Sequence, residues 1–249
     1  MTKFTCTTAL ITGASSGIGA ACARHLAKSS VTLILVARRA ERLQSLKAEL
    51  EQSGATVETL TADLATEEGI QAVALKISSL SGLDLLINNA GFGITGAFAS
   101  APVEAQADML RVHDEAPMRL THAALQGMLA RKQGAIINVS SISAYLSSAS
   151  GSMYGATKAF LTTFSQALHK GLRGTGVKIQ ALCPGFTHTE FHEPSDIMQL
   201  NTKSIPAILW MDARDVTAVS LKALERDQAV VVPGILFKIA VLIARLGLI

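Results

Sequence analysis

Cysteine is scarce in this 249-residue chain, and the three present, Cys6, Cys22 and Cys183, form no C-x-x-C pair and no metal-ligand spacing. That pattern argues against a disulfide scaffold and a zinc module, predicts no metal site, and points to a reducing, cytoplasmic setting. Charged residues make up only 16% of the chain, and a scattered net charge of +3 argues against a nucleic-acid partner. There is no Pro-, Ser- or Gly-rich linker, repeat or low-complexity tract, and the first apolar run reads as a strand rather than a signal peptide. One domain over residues 1–234 is the natural division, with 235–249 as an apolar helix or tail. Aromatics are 4% of the residues, which suits a sheet buried on both faces, and just two of them are tyrosines.

What the chain does have is alternation. Short apolar runs at Thr7–Ile11, Thr32–Ala37, Thr56–Thr61, Leu83–Ile87, Ala135–Val139, Val177–Leu182 and Val230–Val232 read as strands, and helical patterns fill the intervals. The first run feeds Thr12-Gly13-Ala14-Ser15-Ser16-Gly17-Ile18-Gly19 and then a helical stretch. Strand, glycine turn and helix make a phosphate cradle. Gly13 permits the turn, Gly17 lets backbone N–H groups approach a pyrophosphate, and Gly19 brings the helix close to the strand with its positive end toward the anion.

One tyrosine, Tyr154, stands four residues before Lys158, so on a helix the phenol and the ammonium share a face one turn apart. This is a general acid–base pair in which the cation favours the phenolate; moving a tyrosine from pH ~10 to roughly 7 takes about 4 kcal/mol. At the end of the second strand, Ala37 stands where a carboxylate would hold a ribose 2′-hydroxyl, and Arg38 and Arg39 follow. A guanidinium fork suits a 2′-phosphate, so NADP(H) is the expected cofactor, with Arg38 the ligand and Arg39 opening the next helix toward solvent. The competing reading is two surface arginines at a helix start.

These motifs resemble the short-chain dehydrogenase/reductase family over Thr8 to Gly234. The resemblance is carried by the glycine motif, Asp63-Leu64, Asn88-Asn89-Ala90-Gly91, Ser141 thirteen residues before Tyr154, Lys158, and Pro184-Gly185 with Thr189. It implies an α/β fold of doubly wound Rossmann type, a seven-stranded mostly parallel sheet with helices on both faces, and a homodimer or homotetramer. It also implies hydride transfer between a nicotinamide and a carbonyl or alcohol carbon. By that resemblance Ser141 binds the substrate oxygen, Tyr154 moves the proton, and Lys158 holds the nicotinamide ribose while depressing the tyrosine pKa. Asp63 and Leu64 meet the adenine, Asn89, Ala90 and Gly91 pass the adenine-side ribose, and Pro184, Gly185, Thr187 and Thr189 meet the nicotinamide end. As plainer readings, Asp63 is a helix-start acid and the Asn-Asn pair a turn.

The resemblance fails at His113, where many relatives carry an asparagine whose carbonyl holds a relay water. Pro117, four residues on, lacks an N–H and predicts a kink that frees the His113 carbonyl for that water. The imidazole then replaces the amide's hydrogen bond, joins the proton path, or is a core residue without a catalytic part. A lid is expected at about 190–210, with Phe191, Ile197, Met198, Leu200 and Trp210 among its apolar residues. The tail after Gly234 carries only Lys238 and Arg245 among apolar residues, giving domain packing, an entrance cover, a subunit contact or a peripheral membrane contact as its readings. The expected activity is reduction of a small to medium apolar ketone or aldehyde. An NADP(H)-binding regulatory or scaffold protein is the alternative.

Overall fold

The computed structural model describes residues 4–146, 151–192 and 204–247. Nine strands alternate with eight helices among them. The order is β1 (Thr8–Thr12), α1 (Gly17–Leu26), β2 (Thr32–Ala37), α2 (Ala40–Glu51), β3 (Thr56–Thr61), α3 (Glu67–Ser79), β4 (Leu85–Asn88) and α4 (Val103–Leu110). Then come α5 (Ala116–Arg131), β5 (Gly134–Val139), α6 (Ser152–Gly171), β6 (Val177–Leu182), β7 (Thr187–His188), β8 (Met211–Asp212), α7 (Ala213–Glu225), β9 (Val230–Val231) and α8 (Ile235–Arg245).

Seven strands form one sheet in the order β3-β2-β1-β4-β5-β6-β9, every pairing parallel. The expected Rossmann-type sheet is present. Its apolar runs are continuous because side chains alternate between two covered faces. Ile11, Leu33, Leu35, Leu85, Ile87 and Ile137 pack on one side with residues of α1, α2 and α7. Leu10, Ile34, Val36, Leu86 and Ile136 pack on the other with residues of α3 and α5. At roughly 1.5–3 kcal/mol for each large apolar side chain removed from water, these two layers dominate the favourable side of the folding balance.

Strand order reverses between β1 and β4, so the connections leaving them diverge and open a crevice at the carboxyl ends of the strands. The glycine turn, Asn89 to Gly91, Ser141 and Pro184 all follow directly on strands at that end. A second, two-stranded parallel sheet of β7 and β8 ties the two flanks of the expected lid together, Thr187 opposite Met211 and His188 opposite Asp212. Ile197, Met198 and Leu200 lie outside the described residues.

Candidate active site

The cradle is built at the β1–α1 turn. Gly13 has φ +65°, and a Cβ there would stand 2.7 Å from Asn89 Nδ2 and 2.8 Å from Ala90 Cα. At Gly19 a Cβ would lie 2.5 Å from the Gly13 carbonyl oxygen. Both positions admit glycine alone at this spacing. Asn89 and Ala90 brace the turn from β4: Asn89 Nδ2 donates to the carbonyls of Thr12 (2.9 Å) and Gly13 (3.1 Å), and Thr12 Oγ1 accepts from the Asn89 and Ala90 N–H groups. Ser16 caps α1 in position but its side chain makes no capping bond, and no acidic residue occupies the first turn. The positive end of the helix at Gly17, Ile18 and Gly19 is therefore left for an anion, and the cradle fits a dinucleotide pyrophosphate.

Cations rim the cradle, though not as expected. Arg39 opens α2 and stays partly exposed, but its guanidinium lies against the glycine loop. It donates through Nε and Nη2 to Ser15 Oγ (3.2 and 2.9 Å), through Nη2 to Ser16 Oγ (2.9 Å), and through Nη1 to Glu190 (2.8 Å). The reason is geometric: Arg39 is the residue from which α2 departs, and two hydroxyls lie across the turn from it. Arg38 is the more open of the two, its guanidinium 4.0 Å from Asp63. Asp63 itself accepts from the Ala65 N–H at 3.0 Å, and its carbonyl accepts from Thr66, which caps α3. Leu64 is buried beside it.

On the opposite side of the crevice, β5 ends at Val139 and delivers two serines. Ser140 is buried, hydrogen-bonded to the Lys158 carbonyl (2.8 Å) and the Thr162 hydroxyl (2.7 Å), so it fastens α6 to the sheet. Ser141 turns the other way, within hydrogen-bonding reach of the Tyr154 phenol. Lys158 Nζ lies 5.6 Å from the Tyr154 ring centre and donates to the Val139 carbonyl at 3.0 Å. Ser141, Tyr154 and Lys158 are thus brought together.

Their electrostatics differ from the expectation of a depressed tyrosine. Part of Tyr154 stays accessible, yet burial pushes its phenol up to about 12, against a lowering by Ser141. Burial also draws Lys158 down to about 8, opposed by the charge of Asp114. Desolvation disfavours both charged forms and is the largest cause for each. The phenol is held as a proton donor, the form a carbonyl reduction requires.

His113 is fully buried on a π-turn, Arg111–Glu115, between α4 and α5, in which the Ala116 N–H reaches the Arg111 carbonyl. Pro117, lacking a donor, sits at the start of α5, and at the place of the expected kink the helix widens for one turn. The imidazole is held on both sides. Nε2 accepts from the Phe92 N–H (3.1 Å) and Nδ1 bonds Thr157 Oγ1 (2.9 Å), which itself donates to the Tyr154 carbonyl. The Thr157 proton being used, Nδ1 carries the ring's proton and the neutral imidazole is fully satisfied. Burial and the Lys158 charge lower its pKa well below 6.5. Gly91 is needed opposite, since a Cβ would stand 2.9 Å from His113 Nε2.

The loop after β6 closes the far end. The Pro184 carbonyl accepts from the Ile142 N–H (3.0 Å), coupling this loop to the serine strand. Thr187 Oγ1 donates to the Gly185 carbonyl, and Thr189 Oγ1 to that of Thr187. Phe237 of α8 presses its ring on Gly185, and with Val241 and Ile142 forms a small cluster backed by Phe186 and Met211. Helix α8 therefore packs on the loop after β6, while Ile235, Leu236, Ile239, Leu242 and Leu246 remain exposed. Among the described residues no helix is long and apolar enough to cross a membrane.

Sequence reasoning missed three contributors. Asn138 joins Asn88 and Ser165 in a buried amide–hydroxyl chain beneath the site. Asp114 carries a buried Oδ1 without a hydrogen-bond partner and a pKa raised to about 7, first by burial. Glu190 holds both Arg39 and Arg42. Nothing in spacing alone signals these, because each partner lies far along the chain.

Comparison with known proteins agrees with this geometry. The family model described as short chain dehydrogenase matches residues 7–199. An uncharacterized oxidoreductase of Myxococcus xanthus is 34% identical over 233 residues, 92% of this chain and 88% of that one. A short-chain dehydrogenase from Sphingobium yanoikuyae, solved in complex with NADPH, superposes with a TM-score of 0.85 at 34% identity, covering 97% of this chain and 94% of that one. The bulky-bulky ketone specific alcohol dehydrogenase from Comamonas testosteroni gives 0.82 at 30% identity, covering 97% and 93%. With the dinucleotide cradle, the Ser141–Tyr154–Lys158 group and these matches together, the chain belongs to the short-chain dehydrogenase/reductase family of oxidoreductases.

Proposed function

We propose that this protein is an NADP(H)-dependent oxidoreductase that reduces a small to medium apolar ketone or aldehyde. The observation that carries the reading is the Tyr154 phenol flanked by Ser141 and Lys158 across the crevice from a cation-rimmed phosphate cradle. When bound, NADPH supplies the hydride. Ser141 donates a hydrogen bond to the substrate oxygen, Tyr154 gives it the proton as negative charge develops, and Lys158 stabilises the phenolate left behind.

The 2′-phosphate preference is supported by the absence of a carboxylate at Ala37 and by Arg39 joined to Ser15 and Ser16, with Arg38 beside it. The NADPH complex of the Sphingobium relative points the same way, and the ketone specificity of the Comamonas relative supports a ketone as the reacting group of the substrate. His113 is assigned as a positioning residue, not a proton carrier, because both ring nitrogens are committed. Exposed Leu110, Met118 and Phe160 on α4, α5 and α6 support a homo-oligomer assembled through these helices.

The test follows NADPH absorbance against a panel of ketones, aldehydes and diketones, with Tyr154→Phe run beside the wild type. Turnover that falls by about 10²–10⁴ in the variant supports the chemistry. Tight NADPH binding without turnover of any member in either protein would favour a regulatory role.

A further inference from the structure

Glu190 is the first residue after Thr189, at the start of the segment leading away from the nicotinamide-end loop. Its carboxylate lies between Arg39 Nη1, at 2.8 Å, and the guanidinium of Arg42, in close contact. Both arginines hold its pKa low, Arg39 foremost, so it is a full anion at neutral pH. Arg39 also donates through Nε and Nη2 to Ser15 and Ser16 of the glycine loop. One carboxylate thus connects the glycine loop, the head of α2 and the segment after β7. That segment also lies directly on the loop: a Cβ at Gly17 would stand 3.1 Å from the Thr189 Cβ and Cγ2.

We propose that Glu190 is an internal counter-ion of the cofactor cradle, competing with the 2′-phosphate of NADP(H) for Arg39 and Arg42. The proposal rests on the cofactor reading above. A guanidinium fork binds carboxylate and phosphate through the same N–H pair, so the two anions contend for the same donors. A phosphate that takes them meets the Glu190 charge at close range or displaces its carboxylate from the two guanidinium groups. Glu190 therefore sets how much of the 2′-phosphate's binding energy appears as affinity and how much is spent breaking the two ion pairs.

Two other roles are distinguishable: a clasp that closes over bound cofactor, and an inert surface pair. The experiment is calorimetric titration of the full chain, wild type and Glu190→Gln, with NADPH, NADH and adenosine 2′,5′-bisphosphate, the last carrying the 2′-phosphate without a nicotinamide. Removing an ion pair with two partly exposed partners is expected to tighten NADPH and the bisphosphate by roughly three- to tenfold, and NADH by less than about twofold. Weaker NADPH binding in E190Q would identify a clasp, and unchanged affinities an inert pair; either overturns the proposal. The cofactor reading is tested separately, by the wild-type ratio. A wild type that binds NADH as tightly as NADPH removes that reading, and the competition falls with its ligand.

Discussion

Replacing His113 by asparagine should remove an acid-sensitive element from the protein's stability. In the fold the imidazole is neutral, with Nε2 accepting from Phe92 and Nδ1 bonded to Thr157, so an added proton finds no acceptor and meets the Lys158 charge from α6. The unfolded chain accepts that proton near its ordinary value of 6.5. A depressed histidine contributes stability that is present above that value and lost as pH falls below it. If the folded ring stays neutral, the loss between pH 7.5 and 5.5 is about 1.4 kcal/mol, approaching about 1.4 kcal/mol for each further pH unit. Asp114, on the same turn, titrates in the opposite sense, so whole-protein stability against pH conceals both. The informative quantity is the difference between wild type and H113N, in which Asp114 is common. Urea unfolding followed by the fluorescence of the single tryptophan, Trp210, at pH 7.5, 6.5 and 5.5 measures it. H113N should be the less stable at pH 7.5, by about 1–2 kcal/mol for its lost bonds, and should recover about 1.4 kcal/mol relative to wild type by pH 5.5. A difference that stays constant across the three pH values would refute the neutral, doubly bonded ring.

Asp114→Asn should show the converse. With its pKa raised from 3.8 to about 7, Asp114 contributes stability that is full below 3.8 and lost as pH rises through about 7. The melting temperature of D114N relative to wild type should therefore climb between pH 5 and pH 8, and a flat difference would count against the buried carboxyl. Gly19→Ala puts a Cβ 2.5 Å from the Gly13 carbonyl oxygen and should weaken nucleotide binding by at least about tenfold, read by calorimetry, since the turn and helix must separate by a large fraction of an ångström. The two serines should divide their effects. Ser140→Ala loses buried bonds to α6 and should cost roughly 1–3 kcal/mol in urea unfolding, while Ser141→Ala should lower kcat by about 10²-fold with less effect on stability. The reverse assignment would mean that the serine facing Tyr154 had been misidentified.

The strands and the cradle were legible because their signals are local. An apolar run bounded by turn residues, a glycine that must adopt φ +65°, and a tyrosine and lysine one helical turn apart are each contained within a few residues of sequence. Arg39 was half legible: its charge was evident, but its direction depends on Ser15 and Ser16, which another strand delivers. At His113 the proline was visible and the widened turn was not, because the ring's partners, Phe92 and Thr157, come from separate elements. The tyrosine's high pKa was likewise out of reach of spacing: the four-residue separation from Lys158 predicts attraction, whereas enclosure by Phe191 and His113 supplies the larger, opposite effect.

The contact of Phe237 with Gly185 has a consequence for the order of assembly. The hydrogen bonds that brace the cradle join Asn89 and Ala90 to Thr12 and Gly13, all early in the chain, but α1, the helix of the cradle, is packed against α7, made about two hundred residues later. The loop after β6 likewise gains its backing from a residue made more than fifty positions after it. A nascent chain therefore lacks the backing of both ends of the crevice until α7 and α8 have been made, so cradle and reaction chamber are completed together, late in synthesis.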